Sequence, residues 1–324
     1  MKDINKLVNL LKGHTVYLQT HNFPDPDALA SAYGLQQLLK HFDIESTICY
    51  DGKIEKVSTK KMLNAFNIEA VSKDEIPNMT FDDYIVTVDG QKHNANFTDL
   101  PGDEVACIDH HPTFIECEYH YSDIRITGAC CSIITEYFIE ANVPMDTITA
   151  TALLYGLKMD TASFERGVTD FDIEMFKYLH KRVDKSLLNS VHSNAIELED
   201  LKAYGAAIEN IRVFDNFGFV YIPFDCNDAL IAMISDFILA LDVVEISVVY
   251  ANRDGGLKFS VRNENPNIHA GKLISNVLND YGNGGGHASM SGGIIPAENI
   301  GMLGRYPEHF IQNIFIQKSK ESFE

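Results

Sequence analysis

An α/β fold is predicted: an N-terminal domain with a largely parallel sheet flanked by helices, then a smaller α+β C-terminal domain, with an active-site cleft between them. Three observations predict it. Short apolar runs alternate with helix-period segments through the first half of the chain, the pattern of strands joined by crossover helices. From residue 129 to about 210 the pattern becomes mostly helical. After that, runs rich in Val, Ile, Phe and Tyr return, and the turn Arg253-Asp254-Gly255-Gly256 marks a hairpin. A length of 324 residues leaves room for two cores.

Taken in order, residues 15–20 read as a strand. Residues 27–40 follow as a helix with apolar positions at Leu29, Tyr33, Leu35, Leu38 and Leu39. Further strands are expected at 46–50, 84–88 and 104–108, and helices at 132–141, 145–159 and 170–181, then a polar helix near 198–209. Segments 212–223 and 244–262 are β-rich, and helices follow at 268–281 and near the C-terminus. The expected organisation is a catalytic domain over 1–190, a helical connector over 191–210 and a substrate-binding domain over 211–324.

The hydrophobic fraction of 45% and charged fraction of 22% are those of an ordinary globular protein. A net charge of −20 opposes long duplex nucleic acid, which is bound through basic stripes and counterion release. A short phosphorylated ligand is compatible with that charge if metal ions and a few placed Arg or His neutralise it. Cys49, Cys107, Cys117, Cys130, Cys131 and Cys226 form no Cys-x-x-Cys pair and read as buried, reduced thiols. The N-terminal residues lack an apolar signal core. The most apolar stretch, 229–250, is interrupted by Asp236, Asp242 and Glu245 and does not suit a bilayer. A cytoplasmic location with no membrane partner is therefore expected; a homodimer is left open.

Functional residues collect at the ends of the apolar runs: His21, Asp25 and Asp27 after the first, Asp89 after 84–88, and Asp109, His110 and His111 after 104–108. Asp160 closes the apolar helix 145–159. Ligands of open parallel sheets gather at the carboxyl ends of strands, so these segments are expected on one edge. Carboxylates mixed with imidazoles suit Mn²⁺, with Fe²⁺, Co²⁺ or Zn²⁺ as alternatives, better than Ca²⁺. Singly, each has a plainer reading: Asp27 as a helix N-cap, Asp89-Gly90 as a turn, Asp160 as a helix end, and His110 and His111 as surface histidines. Together they favour a two-metal hydrolase.

A second constellation is Gly284-Gly285-Gly286-His287, read as a glycine-rich loop whose backbone N–H groups cradle phosphate. Arg262, at the end of a strand-like run, is a bidentate phosphate partner or a solvated strand-end arginine.

These segments resemble the DHH phosphoesterase superfamily, named for the Asp-His-His at 109–111, over nearly the whole chain. His21-x-x-x-Asp25-x-Asp27-Ala-x-x-Ser31 is similar to its first motif, Asp89 to the second and Asp160-Thr161 to the fourth. The Gly-Gly-Gly-His287 segment with Gly292-Gly293 is similar to the DHH-associated C-terminal domain. The compact two-domain form resembles the nanoRNase and pAp-phosphatase branch, which includes enzymes cleaving linear or cyclic dinucleotides. The resemblance implies two manganese ions: His21 and Asp25 on one, Asp27, His110 and Asp160 on the other, and Asp89 bridging. It implies that Asp109 orients the histidines, that His111 faces the scissile phosphate, and that Arg262, Gly284, Gly285, Gly286 and His287 hold the far end of the substrate. Ala30 and Ala162 stand where many members have glycine, and Gly128-Ala-Cys-Cys-Ser132 replaces a helix start richer in Ser and Thr.

The expected activity is divalent-metal-dependent hydrolysis of short oligoribonucleotides, pApA or cyclic di-AMP, or pAp, to mononucleotides. An inorganic pyrophosphatase or exopolyphosphatase and a non-catalytic nucleotide-binding regulator are the alternatives. A single-strand exonuclease is disfavoured, since it needs a basic channel.

Overall fold

The computed structural model describes residues 4–54, 56–76, 78–193 and 196–321. The chain divides into two compact units, one ending at residue 195 and one starting at residue 196.

The first unit runs α1 (Ile4–Leu11), β1 (Val16–Thr20), α2 (Pro26–Lys40), β2 (Ser46–Tyr50), α3 (Val57–Phe66), β3 (Ala70–Ser72), β4 (Tyr84–Val88), β5 (Asp103–Asp109) and β6 (Tyr121–Ile124). Four helices follow: α4 (Cys130–Glu140), α5 (Thr147–Asp160), α6 (Asp170–His180) and α7 (Lys185–His192). The strands form one parallel sheet in the order β3-β2-β1-β4-β5-β6. The chain builds outward from β1 to β3, then returns to place β4 on the other side of β1. The switch point therefore lies between β1 and β4, where open α/β sheets bind ligands at their carboxyl ends.

Helix α5 is apolar on nearly every side, with Thr149 to Leu157 continuously buried. A helix of that kind belongs inside a domain, and α5 packs between α2, α4 and α6. Gly156 makes the approach to α4 feasible, since a Cβ there would lie 2.5 Å from Cys131 Sγ.

The second unit contains α8 (Leu201–Asn210), β7 (Arg212–Phe214), β8 (Phe217–Asp225), α9 (Asp228–Leu239), β9 (Ile246–Arg253), β10 (Gly256–Asn263), α10 (Ala270–Leu278), β11 (Asn283–Gly286), β12 (Met290–Ile295) and α11 (Pro307–Glu321). Its sheet runs β11-β12-β10-β9-β8-β7, antiparallel except for the β8–β9 pair. Val220, Val249 and Ala251 pack beneath α8 and α9, while Phe219, Val248 and Phe259 pack with α10 and α11. The α/β plus α+β architecture matches the expectation. The stretch 191–210 divides at the unit boundary: α7 packs on α3 and α5 of the first unit, and α8 lies on β8 of the second.

One expectation of local structure is corrected: Gly284, Gly285 and Gly286 do not form a loop but the edge strand β11, paired antiparallel with Gly293, Gly292 and Ser291. Gly271 lets α10 press against the strand, because a Cβ there would lie 2.0 Å from the Gly286 carbonyl oxygen. No helix among the described residues is long and apolar enough to cross a membrane.

Candidate metal centre

The apolar strand β1 delivers His21 just past its carboxyl end, and the chain then turns into α2. The N-cap of α2 is Asp25, whose carboxylate accepts the Asp27 and Ala28 N–H groups at 2.9 and 3.1 Å. Asp27, whose plainer reading is an N-cap, lies instead in the first turn of the helix. Its carboxylate accepts the N–H groups of Cys130 and Cys131 at 2.7 and 3.0 Å. The positive end of α4 thus stabilises a carboxylate that is otherwise cut off from water. Asp89 follows β4 in a left-handed conformation, φ 58°, with its N–H bonded to the Ile108 carbonyl. Asp109, His110 and His111 follow on β5, and Asp160 ends α5.

These elements bring the side chains into one cluster. His21 Nε2 lies 3.9 Å from Asp25 and 3.7 Å from Asp89. His110 Nε2 lies 3.2 Å from Asp89, 3.4 Å from Asp160 and 3.8 Å from Asp27. Ligand atoms converge within 4.8 Å in three sets: His21, Asp25 and Asp89; Asp27, His110 and Asp160; and Asp89, His110 and His111. Asp89 and His110 each belong to two sets.

Both inward-facing imidazoles are fixed from behind. His21 Nδ1 donates to the Asn22 carbonyl and His110 Nδ1 to the Thr127 carbonyl, each at 2.9 Å. A backbone acceptor on Nδ1 leaves Nε2 as the electron-pair donor toward the carboxylates, the arrangement found behind metal-bound histidines. Within this cluster, His110 Nε2 and Asp89 Oδ1 are buried with no hydrogen-bond partner among the described residues. Buried polar atoms without partners are costly. A cation between them removes that cost, and the mixed nitrogen and oxygen donors suit a divalent transition ion. The residues present therefore fit a metal-ion pair.

Without cations the carboxylates load the site with protons. Burial drives the His21 imidazole toward its neutral form, but Asp25 and Asp89 outweigh it and raise the pKa to about 10. Burial acts on His110 in the same way, and Asp89, Asp27 and Asp160 raise it to about 11. Burial, Asp25 and Asp89 push the Asp160 carboxyl up to about 6 despite His110. Burial and then Asp89 likewise raise Asp27 well above the usual range.

His111 is set apart by exposure: 42% of its side chain is accessible, against 8% for His110. Its Nδ1 bonds Asp109 Oδ1 at 2.9 Å, so Nε2 is turned away from that partner. Asp109 is itself held by the His110 N–H at 2.8 Å and by Gln91 Nε2 at 2.6 Å. Gln91 also bonds the His111 carbonyl.

Three supporting residues escaped the sequence reading. Gln91 locks Asp109 as described. Arg166 donates to the Asp160 carbonyl at 2.7 Å across a turn in which Ala162, Ser163 and Phe164 are all left-handed. Asp172, at the start of α6, accepts from Thr127, Ser132, Gly128 N, Thr169 N and the Thr169 hydroxyl at 2.6 to 2.8 Å. It thereby ties down the segment that backs His110 and presents α4 to Asp27. Asp172→Ala is expected to lower stability by about 3 kcal/mol, because it strands several buried donors at once. Denaturant unfolding checks this, and the same variant should bind metal more weakly.

The residues expected to grip substrate lie in the second unit. Arg262 on β10 is engaged by Asp236, Nε to Oδ1 at 2.5 Å, and by Ser260 Oγ at 2.9 Å. His287 is exposed; its N–H bonds Met290 O, and its carbonyl accepts the Gly271 N–H.

Residues 15–157 match the DHH family, N-terminal domain, and residues 215–312 match the DHHA1 domain. The chain belongs to the DHH superfamily of phosphoesterases. An uncharacterized Methanocaldococcus jannaschii protein, MJ1633, is 30% identical over 281 residues, covering 86% of this chain and 57% of that protein. The chain thus spans little more than half of that relative. A probable bifunctional oligoribonuclease and PAP phosphatase of Streptococcus mutans, NrnA, is 25% identical across 86% of this chain and 88% of its own length. The crystal structure of an exopolyphosphatase-related protein from Bacteroides fragilis shares the fold at a TM-score of 0.76 and 18% identity, covering 98% of this chain and 96% of that one. In this DHH domain the three strand-borne motif segments follow the carboxyl ends of β1, β4 and β5, and Asp160 at the end of α5 meets them at His110.

Proposed function

We propose that this DHH-superfamily protein is a manganese-dependent phosphodiesterase and phosphatase that hydrolyses short oligoribonucleotides, dinucleotides such as pApA or cyclic di-AMP, and pAp to mononucleotides. The observation that carries the reading is the sharing of donors: Asp89 and His110 each sit in two of the three ligand sets. Likeness to the S. mutans protein described as a probable bifunctional oligoribonuclease and PAP phosphatase, across most of both chains, supports the substrate class.

His21, Asp25 and Asp89 would hold one ion, and Asp27, His110, Asp160 and Asp89 the other. Ions bound there supply the positive charge that acidifies a water and offsets charge developing on the phosphate. The chain's own groups do the rest. Asp89 holds the two sites in register. Asp109, locked by Gln91, fixes the His111 ring. Burial opposes a proton on that ring, and the hydrogen bond to Asp109 favours one. With Nδ1 bonded to Asp109, the imidazolium presents an Nε2–H that serves as general acid toward the leaving oxygen. In the DHHA1 domain, Arg262 and the Gly284-Gly285-Gly286-His287 segment are proposed to hold the non-reacting phosphate or nucleotide end. Substrates of a few nucleotides gain most from such positioning.

Offered pAp, pApA, a five-nucleotide RNA, cyclic di-AMP and pyrophosphate with Mn²⁺, the protein is expected to release mononucleotides from the nucleotides and leave pyrophosphate intact. Cleavage of pyrophosphate alone would make it a pyrophosphatase, and silence on all five would make it a binding protein. Arg262→Ala is expected to raise KM about tenfold or more on pApA with kcat changed less than twofold, as a uniform binding contact does. Unaltered kinetics on every substrate would remove Arg262 from the site.

A further inference from the structure

Phe23 lies between two of the proposed metal ligands, two residues after His21 and two before Asp25. It is 66% exposed, and its backbone is left-handed at φ 56°, a conformation that bulky residues rarely adopt. Other exposed phenylalanines, such as Phe81 and Phe114, have no such backbone.

The surroundings enforce the conformation. The Phe23 N–H bonds the Asp51 carbonyl at 2.8 Å, and the Asn22 N–H bonds the Asn96 carbonyl at 2.7 Å. The Asp51 carboxylate is held by Gly52 N, Thr98 Oγ1 and Lys73 Nζ at 2.6 to 2.8 Å. The Phe23 ring rests on Gly52, where an added Cβ would come within 2.7 Å of the ring. Gly52 is left-handed as well, at φ 88°, and lines an open surface depression with Tyr50, Asp51, Lys53, Lys60 and Asp74. Strained backbone that several hydrogen bonds over-determine tends to mark a functional position. Here its effect is to keep an aromatic ring in solvent on the short segment that joins His21 to Asp25.

We propose that Phe23, seated on Gly52, is a stacking platform for the nucleobase of the nucleotide whose phosphate is hydrolysed. The inference rests on the nucleotide-hydrolase reading above and adds a base-recognition element within the DHH domain. Every base has a π-face, so the platform confers a need for a base with little preference among bases. It also separates nucleotides from pyrophosphate.

The test is calorimetric binding of AMP and of ribose 5-phosphate to the full chain loaded with Mn²⁺. The native protein is expected to bind AMP at least about tenfold more tightly than the baseless analogue. Phe23→Asn, which tolerates the left-handed backbone, should weaken AMP binding roughly 10- to 100-fold and leave ribose 5-phosphate unchanged. Phe23→Leu makes the same backbone demand as phenylalanine, so its folding is matched, and it should behave like the Asn variant. Phe23→Tyr should retain native binding. Equal AMP affinity in the native and Leu proteins overturns the platform. A native protein that hydrolyses pApA yet binds both ligands equally also overturns it, leaving the nucleotide reading intact. One that neither hydrolyses pApA nor binds AMP overturns both.

Discussion

Asp89→Asn should reduce turnover of pApA by more than about 100-fold, since losing a group that merely supports a metal ligand already costs about 10- to 100-fold. The substitution keeps the side chain's volume, so the left-handed turn after β4 and the hydrogen bond from its N–H to Ile108 should survive. What changes is charge. Asp89 offers one oxygen toward His21 and the other toward His110, and an amide cannot donate comparably to two cations. Metal stoichiometry, measured by elemental analysis after gel filtration, should fall with the activity. Near-native turnover with Mn²⁺ supplied would show that Asp89 bridges nothing.

The second large effect is on pH. Metal binding requires neutral imidazoles, but the carboxylates raise His21 to about 10 and His110 to about 11 in the metal-free protein. Loading must therefore expel protons, and affinity should rise about tenfold per pH unit for each proton released. Mn²⁺ titrations in buffers of different ionisation enthalpy at pH 6 to 8 read that number directly, and an affinity independent of pH would contradict the scheme. The same shifts bear on stability. A histidine whose folded pKa exceeds its unfolded value near 6.5 stabilises fully below that pH, and the gain fades as pH rises through the folded value. Asp160, raised from 3.8 to about 6, loses its contribution over that lower window. The metal-free fold should thus weaken from about pH 6.5 toward 10. The gain in melting temperature on adding Mn²⁺ should widen over the same range.

Much of this site is visible in the sequence because its groups sit where the chemistry of strand ends puts them. His21, Asp89 and Asp109 each follow an apolar run, and the parallel sheet carries all three to one edge. The partners that hold them were invisible for a different reason. Asp172 meets Thr127 and Ser132 only after α6 packs against α4. Gln91 is an ordinary polar residue until β4 and β5 align and bring it to Asp109. Asp27 looks like a helix cap because its sequence context is that of a cap; the tertiary fold gives the capping to Asp25 and turns Asp27 toward α4.

The C-terminal domain shows the limit of composition as a guide. Three successive glycines have no strand propensity, yet β11 forms because β12 offers an open edge and Gly271 lets α10 pack closely against it. The apolar stretch from 229 to 250 conceals two elements: α9, capped by Asn227, ends before β9 begins. Apolar runs that serve both a helix and a strand carry no clear period.

Hydrolysis of pApA by protein stripped of metal with a chelator and then dialysed tests the central claim most directly. Products would be resolved by chromatography and mass spectrometry before and after Mn²⁺ is restored. The expected result is no product from the stripped protein and AMP once Mn²⁺ is returned. AMP released at full rate by the stripped protein, or none after Mn²⁺ is restored, would contradict a metal-dependent nucleotide hydrolase.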